Sequence, residues 1–463
     1  MQYVSTRGKA PRLDFEDTML TGLARDGGLY VPEAWPRMGA SDIAALAGLD
    51  YDEVAFRVMR PFLGETFGDD ELRGIIARAY ASFGHVARCP LVQIGPNDWL
   101  LELFHGPTLA FKDVAMQLIG QMFETVLKRR REQVTIIGAT SGDTGSAAIE
   151  AFRGLEAAQV YILFPHGRVS CVQRRQMTTP PEPNVHAIAV DGDFDDCQAL
   201  VKELFNDHAF RDEVSLGGVN SINWARVLAQ TVYFFTAAVA LGAPHRPVAF
   251  SVPTGNFGDV FAGYVAKRMG LPVERLVIAT NRNDILHRTL ATGEHRREGV
   301  RPTISPSMDI EVSSNFERLL FELHDREGLA VARLMDELKG GGFRLSQGAL
   351  EALRTEFDSA RAGEDETAEE IARAWRETGE VVCPHTAVGL HAARARRGDP
   401  SVPMVTLATA HAAKFPDAVE AACGIRPALP TRMTDLMERP ERVTYLGNDA
   451  AALKSFIRQG RDR

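Results

Sequence analysis

Cysteine is scarce in this chain. Cys89, Cys171, Cys197, Cys383 and Cys423 are spread over 463 positions and form no CxxC pair. Such spacing implies neither a zinc site nor a disulfide framework, and it suits a reducing, cytoplasmic compartment. No HExxH or other ligand-spaced histidine pair occurs, so no catalytic metal is expected. An excess of positive charge is also missing. The chain carries 52 Lys and Arg against 61 Asp and Glu, a net charge of −9, which speaks against a broad nucleic-acid face. Long apolar runs are absent too. The most apolar stretch, VYFFTAAVALGA from Val232, is too short to span a bilayer and reads as a core helix, so no membrane partner is expected. The opening MQYVSTRGKAPRLDF has no apolar signal core.

What is present is a large apolar fraction, 45%, enough for a sizeable core. Residues 1–90 read as a mainly helical region. DYDEVAFRVMRPFL and DDELRGIIARAYASF have helical apolar spacing, with Asp69 and Asp70 as N-cap candidates for the second. After Pro90, short apolar β-rich runs alternate with helices. The runs are QVTIIGA from Gln133, QVYILFP from Gln159, VHAIAVDG from Val185, PVAFSVP from Pro247, RLVIATN from Arg275 and VPMVTLA from Val402. Continuous apolar strands between helices predict parallel sheets covered on both faces, hence an α/β protein with more than one lobe. Expected lobes run from 91 to 240 and from 241 to 463. The charged stretch from Thr355 to Glu380 reads as exposed helices, and the tail from Asn448 as a terminal helix that frays.

Three polar loops follow strands or precede helices. In VPTGNFGD, Gly255 and Gly258 let backbone N–H groups approach an anion at a helix start. The loop is neither GxxxxGK[ST] nor GxGxxG, and a tight strand-to-helix turn is the competing reading. In ATSGDTGSAA, Thr140, Ser141 and Thr144 bring hydroxyls beside exposed amides; a capped helix start is the alternative. In GGVNSINWARV, Asn220 and Ser221 are capping candidates and Arg226 lies one turn inside the helix, where its rigid fork suits a phosphate.

HGPTLAFKD places Lys112 after a His-Gly-Pro turn, behind Phe111. A desolvated lysine amine loses its proton more easily and forms a Schiff base with a carbonyl. One such lysine, two anion-binding Gly loops and no metal cluster point to pyridoxal phosphate, which needs a lysine, a phosphate cradle and a ring-nitrogen partner. A helix-start lysine paired with Asp113 is the competing reading.

The stretches LFHGPTLAFKD, ATSGDTGSAA, NSINWARVLAQTVYF, VPTGNFGD, SMDIEVSSNFERLLF, PHTAVG and TAHAAKFP, together with YVSTRG and DGGLYVP, resemble the threonine synthase family, in its branch with a long N-terminal region. The resemblance implies the fold type II architecture, two open α/β lobes with the cofactor between them. It implies conversion of O-phospho-L-homoserine and water to L-threonine and phosphate, by a monomer or homodimer. It also implies roles. Lys112 would hold the cofactor aldehyde, and Gly255, Asn256, Phe257 and Gly258 its phosphate. Asp143 would meet the ring hydroxyl and Thr409 the ring nitrogen. Thr140 and Ser141 would receive the substrate carboxylate; Thr144, Asn220, Ser221 and Arg226 its phosphate. Two positions depart from the family pattern: Cys383, where aspartate is common, and Ala412, where proline is common. Rival readings are another fold type II lyase, such as threonine dehydratase or a β-replacement synthase, and a non-catalytic relative that binds phosphorylated metabolites.

Overall fold

The computed structural model describes residues 1–461. Two sheets dominate it. A five-stranded sheet has the order Thr444–Leu446, Val185–Val190, Ala158–Pro165, Val134–Ala139, Leu216–Gly217, and all its pairs are parallel. A six-stranded sheet has the order Phe357–Arg361, Val273–Thr280, Val248–Pro253, Met404–Ala408, Asp98–Glu102, Leu91–Gln93. Only its last pair is antiparallel. Every apolar run expected to be a strand lies in one of these sheets.

The strands are apolar on both sides because both sides are covered. Successive residues of a strand point to opposite faces. Ile136 joins the large core between the lobes, whereas its neighbour Ile137 packs with Tyr161, Ile188 and Leu204 on the outer face. In the other sheet, Phe250 and Ile278 face the large core, and Ala249 and Val277 pack beneath the helix Pro384–Ala395. The helix Trp224–Ala240, whose apolar sequence reads as a core element, is buried along most of its length in that central core.

Two segments cross the expected lobe boundaries. Leu91–Glu102 pairs with Met404–Ala408 of the later sheet, and Thr444–Leu446 returns to the earlier one. The terminal helix Ala450–Arg461 follows that return and packs: Leu453 and Ile457 are buried against the outer face of the five-stranded sheet. FDSAR, inside the stretch expected to be exposed helices, is instead the edge strand Phe357–Arg361, with Phe357, Ser359 and Ala360 buried. At Asp69–Tyr80 the N-cap is Gly68, and Asp69 and Asp70 occupy the first turn, where their charge favours the helix dipole.

The N-terminal region is anchored to the central core. Tyr3, Phe15, Phe62 and Trp224 pack together. Its strand pair, Tyr3–Ser5 with Tyr30–Pro32, also holds a later segment: Thr6 and Arg7 bond Glu317, and the Tyr30 carbonyl accepts from Arg318 Nε at 3.0 Å. Among the described residues, no helix is long and apolar enough to cross a membrane.

Candidate active site

Lys112 is the first residue of the helix Lys112–Arg130. The turn before it is pinned by the chain leaving strand Met404–Ala408. Phe111 N donates to the Thr409 carbonyl at 2.8 Å, His411 N donates to the Leu109 carbonyl at 3.0 Å, and Ala110 bridges Ala410. Thr409 is thereby fixed beside the lysine. Gly106 is required because a Cβ there would stand 2.4 Å from the Asp113 Cβ. Asp113 accepts from Thr108 N at 2.7 Å and from Thr108 Oγ1 at 2.6 Å, so it does not pair with Lys112. Adjacent helical residues diverge in direction, and Lys112 turns instead toward Asp143, with Nζ 3.6 Å from Oδ2. Burial lowers the Lys112 pKa to about 8; Asp143 pulls it upward, while Lys414 and Arg226 push it further down. Phe111 lies alongside, its ring centre 5.6 Å from Nζ.

Asp143 opens the helix Asp143–Phe152 after strand Val134–Ala139. Thr140 Oγ1 accepts from Gly142 N and Gly145 N, both at 2.9 Å, which closes the loop and leaves the hydroxyl proton free to donate. Among the described residues the hydroxyls of Ser141 and Thr144 have no protein partner, and both are half-buried. The Asp143 carboxylate is crowded with donors. Lys414 Nζ stands 2.7 Å and Gln173 Nε2 2.9 Å from Oδ1, while Ser307 Oγ lies 3.2 Å from Oδ2. Burial alone would raise its pKa, but Lys414 and Lys112 outweigh burial and hold the carboxyl well below the usual range.

The third element is the loop between strand Val248–Pro253 and helix Gly258–Met269. Its carbonyls are turned outward and bound: Ser313 Oγ donates to Gly255 O at 2.7 Å, and Asn315 N and Nδ2 donate to Asn256 O, each at 3.0 Å. Among the described residues no protein acceptor meets the N–H of Gly255, Asn256, Phe257 or Gly258. Those amides, at a helix start, form an anion cradle. Phe257 adopts φ 64°, unusual for a bulky residue. Its ring, 1% exposed, packs on Phe316 and Phe357 and holds that conformation.

Ser307 brings the second element against the third. Its hydroxyl is on Asp143, and its carbonyl lies 2.9 Å from where a Gly255 Cβ would be. Asn315 does the same for the fourth element, donating to Ser221 O at 3.0 Å. Asn220 is exposed and Ser221 half-buried; the cap of helix Trp224–Ala240 is neither of them but Asn223, which accepts from Ala225 N at 3.0 Å. Arg226 is 3% exposed. Among the described residues its Nε has no hydrogen-bond partner, and its side chain makes one hydrogen bond, from Nη1 to the Val219 carbonyl at 3.4 Å. Burial lowers its pKa to about 10, so it stays charged at neutral pH. A buried, unpaired guanidinium is costly unless an anion meets it.

Sequence reasoning missed Lys414, Gln173, Ser307, His385 and Asn315 as parts of the site. Lys414, Ser307, His385 and Asn315 lay inside motifs of the resemblance, but nothing in their spacing marked them. His385 Nε2 accepts from Ser307 N at 3.1 Å, which assigns the ring proton to Nδ1, facing Cys383. Burial lowers the His385 pKa to about 4, so the ring is neutral at neutral pH. Cys383 takes the place of the aspartate as N-cap, its Sγ accepting from Thr386 N at 3.4 Å. Ala412 stands where proline is common and is the first residue of a short 3-10 turn, Ala412–Lys414, which His411 caps.

A desolvated lysine amine, an acceptor carboxylate beside it and a cradle of unpartnered amides fit pyridoxal phosphate, and their place on two mainly parallel α/β sheets is that of the fold type II class of its enzymes. The comparisons with known proteins narrow this. Residues 2–80 match the model for the threonine synthase N terminus, 85–337 the pyridoxal-phosphate-dependent enzyme model and 386–457 the threonine synthase C-terminal model. The chain is 56% identical to a threonine synthase of Pseudomonas aeruginosa over 100% of its own length and 99% of the relative's. The crystal structure of a pyridoxal-phosphate-bound threonine synthase from Brucella melitensis superposes with a TM-score of 0.97 at 56% identity, covering 99% of each chain. The yeast threonine synthase structure superposes with a TM-score of 0.95 at 39% identity, covering 100% of this chain and 99% of that one. The chain belongs to the threonine synthase family of pyridoxal-phosphate-dependent enzymes.

Proposed function

We propose that this chain converts O-phospho-L-homoserine and water to L-threonine and phosphate, with the work divided as follows. Lys112 would hold the cofactor aldehyde. The amides of Gly255, Asn256, Phe257 and Gly258 take the cofactor phosphate, Asp143 the ring hydroxyl, and the Thr409 hydroxyl the ring nitrogen. Bound there, pyridoxal phosphate supplies an aldehyde for the substrate amine and a ring that withdraws electrons from the α-carbon. The hydroxyls of Thr140 and Ser141 bind the substrate carboxylate. Thr144, Asn220, Ser221 and Arg226 bind its phosphate, whose charge grows as the carbon–oxygen bond breaks.

Lys112 carries the protons. With a pKa near 8 its amine exists in both protonation states near neutral pH, as a group acting first as base and then as acid requires. It takes protons from Cα and Cβ of the substrate as phosphate leaves Cγ, then returns one to Cγ and one to Cα, while water adds its hydroxyl at Cβ and gives its remaining proton to the released phosphate. A threonine hydroxyl at the ring nitrogen does not protonate it as a carboxylate would, which favours elimination and addition over reactions of a long-lived carbanion.

The observation that carries this reading is Arg226: buried, charged and, among the described residues, without a carboxylate partner. A threonine dehydratase has no substrate phosphate to meet it. Five free cysteines support a cytoplasmic setting, and a monomer or homodimer is part of the same proposal. The test is phosphate release from phosphohomoserine with threonine formed in equal amount. Lys112→Ala is expected to abolish both the turnover and the visible absorbance of the lysine–cofactor linkage. Turnover of serine or threonine without any of phosphohomoserine would favour the dehydratase reading instead.

A further inference from the structure

We propose that Lys414 is a positioning residue of this site: it holds Asp143 as a charged acceptor and keeps Asp143 from locking the Lys112 nitrogen in its protonated state. The inference rests on the cofactor role given to Lys112 and not on the identity of the substrate.

Lys414 is 0% exposed. An ammonium taken fully out of water is expensive unless it is paired and hydrogen-bonded, and here it is both. Nζ donates to Asp143 Oδ1 at 2.7 Å and to the Thr108 carbonyl at 2.7 Å. It reaches from the turn after strand Met404–Ala408 of the six-stranded sheet to the helix start that follows strand Val134–Ala139 of the five-stranded one. The same contact touches the turn that precedes Lys112, because Thr108 also holds Asp113.

The charges around the pair decide what it does. Lys112 is faced by Asp143, Lys414, Arg226 and the neutral ring of His385. Lys414 is faced by Asp143, Asp113, Lys112 and the neutral rings of His385 and His411. Were Asp143 the only charged neighbour of Lys112, the two would form a buried ion pair at 3.6 Å, and the proton would stay on the lysine. A second cation on the other carboxylate oxygen divides the field of Asp143 and repels a proton on Lys112. Lys414 therefore supports two requirements at once: an ionised acceptor at position 143 and a lysine nitrogen that still exchanges its proton. The direction of both shifts agrees, since Lys414 lowers the pKa of Asp143 and of Lys112 alike.

The test is a pH titration of the visible absorbance of the lysine–cofactor linkage in full-length holoenzyme, for the wild type, Lys414→Gln and Lys414→Arg, with thermal midpoints measured alongside. Glutamine keeps hydrogen-bonding capacity and removes the charge; arginine keeps the charge. The expected result is a titration midpoint raised by about one pH unit or more in Lys414→Gln, with Lys414→Arg close to the wild type. A purely structural role would lower thermal midpoints and leave the titration in place. An unmoved midpoint in Lys414→Gln, or an equal shift in Lys414→Arg, overturns the proposal. The readout needs no substrate, so a wild type that shows the band but does not turn over phosphohomoserine strikes the proposed reaction and leaves this inference to its own titration.

Discussion

Asn315 donates from one amide nitrogen to the carbonyls of both Ser221 and Asn256, each at 3.0 Å. One wholly buried side chain thus joins the loop assigned to the substrate phosphate with the loop assigned to the cofactor phosphate. Its Oδ1 is in turn bonded by Arg318, which the N-terminal strand pair holds through the Tyr30 carbonyl. Asn315→Ala is expected to weaken both sites together. A lost buried hydrogen bond costs about 1–3 kcal/mol, so the cofactor dissociation constant and the KM for phosphohomoserine should each rise about fivefold or more. Fluorescence titration of cofactor and steady-state kinetics on the same preparation check this. A change in one constant with the other unmoved would mean that the two loops are independent.

Arg226→Ala separates the two anion sites. With Arg226 assigned to the substrate phosphate, the variant should keep its visible absorbance and lose about a hundredfold or more in kcat/KM, the scale of removing one preorganised donor. Removal also relieves a buried charge, so thermal stability should be unchanged or higher. Loss of the absorbance band instead would move Arg226 to the cofactor phosphate.

The fold was legible where local pattern suffices. Six continuous apolar runs became sheet strands because burial on both faces leaves no polar alternation to confuse the reading. FDSAR was not legible, because an edge strand of mixed polarity resembles the charged helices on either side of it. The lobe boundaries were missed at Leu91–Glu102 and Thr444–Leu446 because pairing between segments hundreds of residues apart leaves no mark in either segment. In the site, Lys112 and the glycine loops stood out by residue type. Asn315, Ser307 and Lys414 did not, since their importance lies in which distant groups they touch.

His295 gives a pH dependence that can be isolated. It is 2% exposed, stacks on Phe316 and Phe343, and meets Thr289 Oγ1 through Nδ1 at 2.8 Å. Burial, helped by Arg288, lowers its pKa to about 4. A lowered pKa means that the unfolded chain takes up a proton the folded chain refuses. The stabilising contribution is then complete above the unfolded value of about 6.5 and is lost as pH falls toward 4, at most on the order of 3 kcal/mol. His295→Gln should therefore be less stable than the wild type at pH 7.5 yet lose less stability between pH 6.5 and 4. Thermal midpoints across that range check it. The other buried histidines and the buried carboxylates of raised pKa, such as Asp113, are common to both proteins and cancel in the comparison. Parallel curves would refute the assignment.

Gly142 is the residue through which backbone geometry reaches the chemistry. It caps the helix Asp143–Phe152 at φ 142°, a conformation that side chains disfavour. A Cβ there would stand 2.3 Å from Cδ of Gln173, whose amide donates to Asp143. Gln173 has little room to retreat, because it also closes the capping box of helix Cys171–Thr178 with Ser170. Gly142→Ala is therefore expected to cost about 1–3 kcal/mol in stability through backbone strain and crowding. It should also remove one donor from the Asp143 carboxylate and shift the visible absorbance of the cofactor. Gln173→Ala in the Gly142→Ala background opens the space again. If crowding against Gln173 is the cause, the double variant should be more stable than the sum of the single losses predicts, with the absorbance still shifted because the donor is gone. Additive losses would place the whole cost in the backbone angle.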